Sequence, residues 1–247
     1  MKTIKIVILL FAFSNCYGQQ PNVYGKSPLD LEQFSFDLNV ATFYPKKYIL
    51  KNNPEYYEIP IHNNLGLEKK VQLIKKDTLF TKYDVFSDLS FEKDKVPRWI
   101  VYNRKNYSNF DTLATYGKYT FQALNILTTL DQKVAIINGL MGYIDQKDAN
   151  EFIQYLNTKY GKAIKTEGKF IEKTDVYTWE TNDRILKYCI AFQEEKNTLV
   201  IEVDKDNKTL KNGEKNPHFE AYFFILKKEY APQLIGKIDS SDFLYCD

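Results

Sequence analysis

Apolar and polar positions change rhythm several times along the chain, and each rhythm predicts a different element. "FSFDLNV" alternates strictly, with Phe34, Phe36, Leu38 and Val40 on one side and Ser35, Asp37 and Asn39 on the other, the period of a half-buried strand. "YYEIPI" at 56–61 is extended but carries Pro60, which suits a sheet edge. The run from Leu67 to Phe86 fits a helix stripe through Leu67, Val71 and Ile74 and a strand through Val71 and Leu73; strands are the expectation. "RWIVYN" at 98–103 reads as a further strand behind Pro97. Residues 104–117, "RKNYSNFDTLATYG", keep no period and read as a linker or long loop.

Beyond this stretch the patterning sharpens. "KYTFQALNILTTLDQKVAIINGLMG" predicts two long apolar strands joined at "TTLDQK". Next, Ala149, Phe152, Ile153, Leu156 and Tyr160 fall at helical spacing. Asp148 is the expected N-cap, with Glu151 three positions on, and Gly161 the stop. "VYTWE" (176–180), "RILKYCIAF" (184–192), "TLVIEV" (198–203) and "HFEAYFFIL" (218–226) follow as a meander of strands separated by short polar turns. Glycines 139 and 142 of "GLMG", inside a strand, mark a bulge or close packing. The fold class expected is therefore α+β, mainly antiparallel sheet. Its C-terminal half is a two-layer domain with one amphipathic helix packed on a β-meander.

One apolar run differs from all of these. "MKTIKIVILLFAF" joins Lys2 and Lys5 to a short hydrophobic stretch that ends at Ser14, half the roughly 20 residues a spanning helix needs. This is the layout of an export signal. Cleavage between Gly18 and Gln19 puts the small residues Gly18 and Cys16 at the positions that the ordinary signal peptidase reads. The alternative is lipidation of Cys16, for which Asn15 is a poor fit. Expected segments are thus 1–18 as signal peptide, 19–110 as a β-rich N-terminal region and 117–247 as the α+β domain, which can be continuous with the region before it. The protein is expected to be periplasmic or secreted, with an outer-membrane lipoprotein as the alternative. The sequence holds no second apolar span, no repeat and no heptads.

Composition narrows the chemistry. The chain has 247 residues, with 34 basic and 32 acidic side chains. Loss of Lys2 and Lys5 with the leader balances the charges, and a neutral chain has no electrostatic footprint for nucleic acid. The only arginines are Arg98, Arg104 and Arg184. So sparse a set argues against an anion site built from arginine forks. After cleavage two cysteines remain, Cys189 and Cys246, an even pair that could form a disulfide in an oxidising compartment. The competing reading makes Cys189 a small core residue and places Cys246 in a terminal tail.

The usual catalytic patterns are missing. His62 and His218 are the only histidines, and neither stands in a metal-ligand spacing. No phosphate-binding glycine loop and no G-x-S-x-G turn occurs. The loop "DKDNKTLKNGEK" fails as a calcium loop, because Lys208, Thr209 and Lys215 fall where an oxygen ligand, glycine and glutamate are needed. The series Lys159, Lys162, Lys165, Lys169 and Lys173 reads as a solvated connector. No catalytic, cofactor or metal residue is assigned, and no cofactor is expected. The leading expectation is a non-catalytic binding or interaction protein that meets a protein or cell-envelope partner. An exposed strand edge or an aromatic patch with Trp99 or Trp179 could serve as the contact surface, against the plainer role of each Trp as a core anchor. Alternatives are a carboxylate-dependent hydrolase and an inhibitor or immunity-type protein.

Overall fold

A computed structural model describes residues 22–61, 70–80, 97–168, 174–194, 201–204, 209–212, 217–238 and 241–246. The leader with Cys16, Gly18 and Gln19 lies outside the described residues, as do His62, Lys169 and Lys173.

Among the described residues fifteen strands run in chain order: β1 (Leu29–Asp30), β2 (Ile49–Leu50), β3 (Asn53–Pro60), β4 (Val71–Phe80), β5 (Pro97–Arg104), β6 (Ala114–Tyr116), β7 (Tyr119–Phe121) and β8 (Ala123–Thr129). They continue with β9 (Val134–Ile144), β10 (Ile164–Glu167), β11 (Asp175–Glu180), β12 (Arg184–Gln193), β13 (Ile201–Asp204), β14 (Thr209–Asn212) and β15 (His218–Lys227). Ten of them form one antiparallel sheet in the order β10-β11-β12-β15-β9-β8-β5-β4-β3-β2. The pairing of β5 with β8 carries this sheet across the loop of residues 105–113. Strands β1, β6 and β7 make a small second sheet, and β13 with β14 a separate hairpin.

The antiparallel α+β class is as the patterning indicates, and the central strands show why they read as unbroken apolar runs. Along β15, Ala221, Phe223 and Ile225 join one hydrophobic cluster, while Tyr222, Phe224 and Leu226 join another on the opposite face. A strand buried on both faces loses the alternation that marks a half-buried one. The first face is covered by the long helix Gln146–Tyr160, by the small sheet and by the N-terminal segment. Ala149, Phe152, Ile153 and Leu156 of the helix are buried there. Each large side chain contributes roughly 1.5–3 kcal/mol. The second face is covered by C-terminal residues: Leu234 and Ile238, then Phe243 and Cys246 from the 3-10 segment Ser241–Cys246.

Three local expectations change. The helix begins one turn earlier than expected, because the Asp145 carboxylate accepts the Asp148 amide at 2.7 Å and so takes the N-cap role. Gly161 does end it, with a φ of 88°, and the Trp179 indole N–H donates to the Gly161 carbonyl at 3.0 Å. Residues 34–40 are not a strand. The Ser35 hydroxyl accepts the Asp37 amide, Leu38 N bonds to Ser35 O, and Asn39 caps a single helical turn, Val40–Phe43. Local side-chain bonds of this sort compete with a sheet ladder. Finally, Lys165 lies in an edge strand, β10, paired with Asp175 at 2.8 Å, so the connector after the helix continues the sheet.

The glycines of "GLMG" prove to be points of close approach. A Cβ on Gly139 would lie 2.6 Å from the Phe121 ring, and one on Gly142 would lie 2.3 Å from the Tyr107 ring. The second contact brings the loop after β5 down onto β9. Asp111 fixes that loop from its other end, accepting from Gln72 Nε2 at 3.0 Å and pairing with Lys70 at 2.9 Å.

Candidate functional site

A groove of about 930 Å³ opens at one end of the large sheet. One wall is the turn segment Phe36 to Ala41, which the Asn39 cap holds in shape. The floor is the β8–β9 turn, Asp131 to Val134, and the other wall comes from Lys227, Glu229, Tyr230 and Gln233 after β15. Its size falls in the range typical of small-molecule sites.

Both lysines of the groove are paired with carboxylates, and Asp37 leaves the groove with one carboxylate more than it has lysines. Lys133 pairs with Asp131 at 2.9 Å and Lys227 with Glu229 at 2.7 Å. The Glu229 carboxyl is held below its usual range, first by Lys227. Asp131 is likewise lowered, first by the Thr129 hydroxyl and then by Lys133. Asp37 also lines the groove and accepts from the Ser35 hydroxyl at 3.2 Å. Two rings complete the lining. Tyr230 is set edge-on against buried Trp99, 5.7 Å between centroids, and Phe36 lies under the Arg184 guanidinium at 5.3 Å.

One backbone feature stands out at the floor. Gln132 has a φ of 65°, alone among the non-glycine residues described. The left-handed conformation costs a residue with a Cβ roughly 1–2 kcal/mol, and strain of this kind collects at functional positions. The sequence marked "TTLDQK" as a turn, but nothing in it distinguished Gln132 from a glycine or asparagine that would fit the turn without strain.

A second concentration of polar groups is buried on the second face. Asn125 and Asn138, opposite each other on β8 and β9, are fully buried and joined at 2.8 Å. Asn125 also donates to Asp242 at 2.7 Å and accepts the Arg104 amide at 2.9 Å. Arg104 Nη2 donates to Asp242 at 2.9 Å, and its guanidinium lies 4.6 Å from the Tyr107 ring. Tyr107 and Tyr222 both donate to Glu220, at 2.8 and 2.7 Å. Burial is the chief cause that raises the Asp242 carboxyl, with Arg104 and Asn125 pulling the other way. The signal for this network is the interruption of apolar runs by asparagine, in "ALNILTT" and "AIINGL", which matches no catalytic or metal-binding motif.

The other sequence candidates have ordinary structural places. Trp99 and Trp179 are both buried core anchors, 8% and 3% exposed, so neither builds a surface patch. Cys189 and Cys246 are buried as thiols in the same second-face cluster, and burial pushes the Cys189 thiol up to about 12. His218 stacks on Tyr143 at 4.6 Å. Among the described residues no three His, Cys, Asp or Glu side chains group as a metal site, and no helix is long and apolar enough to cross a membrane. No known protein family, curated protein or solved structure matches the chain.

Proposed function

We propose that this is an exported, non-catalytic binding protein, and that the groove at the β8–β9 turn takes an uncharged, hydroxyl-rich ligand such as a short saccharide. The export address read in residues 1–18 supplies the compartment. The observation that carries the ligand class is the pairing of both groove lysines with neighbouring carboxylates. Three carboxylates against two lysines leave the groove with no net attraction for an incoming anion. What remains on offer is the Asp37 carboxylate as a hydroxyl acceptor, two ring edges or faces, Phe36 and Tyr230, and the amides of Gln132 and Gln233. Rings with amides beside them suit a ligand that has both C–H faces and hydroxyls.

The hydrolase reading asks for two carboxylates close together in an open pocket. Glu220 and Asp242 are drawn into one network, but Asp242 belongs to the C-terminal segment that covers this face, and of the groove carboxylates Asp131 and Glu229 are engaged by lysines, which leaves Asp37 alone. The binding reading is therefore preferred. Thermal unfolding with a panel of neutral oligosaccharides and, separately, inorganic phosphate and citrate tests it. Ligand bound only by the folded state raises the melting temperature. The reading expects a rise with at least one neutral sugar and none with the anions. A rise with the anions alone, or no rise with any neutral probe, contradicts it.

A further inference from the structure

The second face of the sheet carries a set of recognition groups that stands complete without the segment lying on it. Asn125 is fixed by Asn138 and by the Arg104 amide, and the Arg104 guanidinium is supported on the Tyr107 ring. Tyr222 is fixed by its bond to Glu220. Buried side-chain networks of this kind add little to net stability compared with apolar packing, and their established use is to specify one partner or register.

Ser241–Cys246 occupies these groups as a bound peptide would. In a 3-10 segment side chains three apart share a face. Asp242 and Tyr245 share one, and Phe243 and Cys246 share the other. Asp242 Oδ2 takes Arg104 Nη2 and Asn125 Nδ2, and the Tyr245 ring stacks on Tyr222 at 4.1 Å with 11° between planes. Phe243 enters the apolar cluster beside Phe224, and Lys187 Nζ donates to the Cys246 carbonyl. A cation fork for a carboxylate, a ring platform, an apolar pocket and a main-chain contact are the parts of a peptide-binding site.

The occupant does not fill it. Arg104 reaches Asp242 through Nη2 only, while its Nε is buried with no acceptor among the described residues. A guanidinium fork is built for two parallel bonds to one carboxylate. We infer that Ser241–Cys246 is the resident ligand of a peptide-binding site on this face. The site's outside ligand is a protein segment that presents a carboxylate and, three residues on, a tyrosine, with the carboxylate seated on both Arg104 nitrogens. This site is separate from the groove and stands whether or not the groove binds a sugar. The resident segment competes from the same chain, so the apparent affinity for an outside segment falls by the fraction of molecules in which it is lifted.

The test uses full-length protein and a fluorescein-labelled hexapeptide, Ser-Asp-Phe-Leu-Tyr-Ala. Weakening the resident segment with Asp242→Asn and Tyr245→Ala should tighten peptide binding at least tenfold over the wild type. Adding Arg104→Gln should erase the gain, as should replacing the aspartate of the peptide by asparagine. A folded double variant that binds no better than wild type overturns the inference. Should the double variant fail to fold, reduced wild-type protein decides alone, through the rate at which a thiol reagent labels buried Cys189. Local lifting gives labelling with a weak dependence on urea. Labelling that tracks global unfolding at every urea concentration makes the segment an integral part of the core and overturns the inference.

Discussion

The guanidinium of Arg104 and the carboxylate of Asp242 meet at 2.9 Å across 138 positions of sequence, each side chain 13% exposed. This pair joins the end of a central strand to the last described segment of the chain, and its burial sets its energetics. Replacing Arg104 by methionine leaves the Asp242 carboxyl buried without its cation, which costs about 3 kcal/mol where an ion pair is broken from one side. Urea denaturation of Arg104→Met should show that loss at neutral pH. Asp242→Asn keeps the shape and the contact with Asn125, and should cost less than half as much.

Acidity separates the two kinds of carboxylate in the fold. The Asp242 carboxyl is raised, mainly by burial, so its folded value lies above the unfolded one. Its contribution is fully present below the unfolded value and is lost as pH rises through the raised folded value. Glu32 is lowered, first by its bond with Lys159 and also by the Tyr155 hydroxyl, so its contribution is present above the unfolded value and lost as pH falls. Denaturation midpoints between about pH 2 and pH 8 span the carboxylate range, the lowered Glu32 included. Across that span wild type should lose ground to Asp242→Asn as pH rises. Its advantage over Glu32→Gln should instead disappear as pH falls.

Gln132 trades stability for placement. Glycine adopts a φ of 65° without strain. Gln132→Gly should therefore leave stability unchanged or raise it by about 0.5–1 kcal/mol, since relief of strain opposes the added freedom of the unfolded chain. The same change removes a groove amide, so the ligand that stabilises wild type should stabilise this variant less. Thermal unfolding of both chains, with and without sugar, reads the two effects together.

Close packing at Gly142 gives an opposite expectation. A Cβ there meets Tyr107 at 2.3 Å, and Tyr107 holds both Glu220 and the face of Arg104. Gly142→Ala should cost about 1–3 kcal/mol by overpacking, with a lower urea midpoint and an unchanged slope.

Export has its own readout. Intact mass of the protein recovered from its native envelope should match a chain that begins at Gln19. A mass that begins at Cys16 with added diacylglycerol supports the lipid-anchored alternative, and one that still includes Met1 contradicts export altogether.

Much of this architecture is legible in the chain because single elements bury single stripes. Phe152, Ile153 and Leu156 announce the long helix, and "HFEAYFFIL" announces a strand, which the structure buries on both faces. Residues 34–40 mislead because Phe34, Phe36 and Leu38 do turn inward or lie half-buried, while the hydroxyl of Ser35 and the amide of Asn39 bend the backbone into turns. That Asp145 and not Asp148 is the cap does not show in the chain, because a carboxylate that reaches forward to the amide three residues on leaves no signature beyond one more aspartate. The groove has no signal in the chain, and the polar network shows only as the asparagines that interrupt two apolar runs. Each joins segments far apart in sequence, Phe36 with Tyr230 and Arg104 with Asp242, and only the pairing of ten strands brings them together. The edge strand β10 leaves no trace in the pattern because its four residues are all exposed and carry no apolar period.

The groove reading faces its most direct test in nuclear magnetic resonance titration of isotope-labelled wild type and Tyr230→Ala with the best neutral oligosaccharide. The account predicts shifts confined to residues 36–41, 131–134 and 227–233 in wild type and largely lost in Tyr230→Ala. Shifts that centre elsewhere, or that persist undiminished without the Tyr230 ring, contradict it.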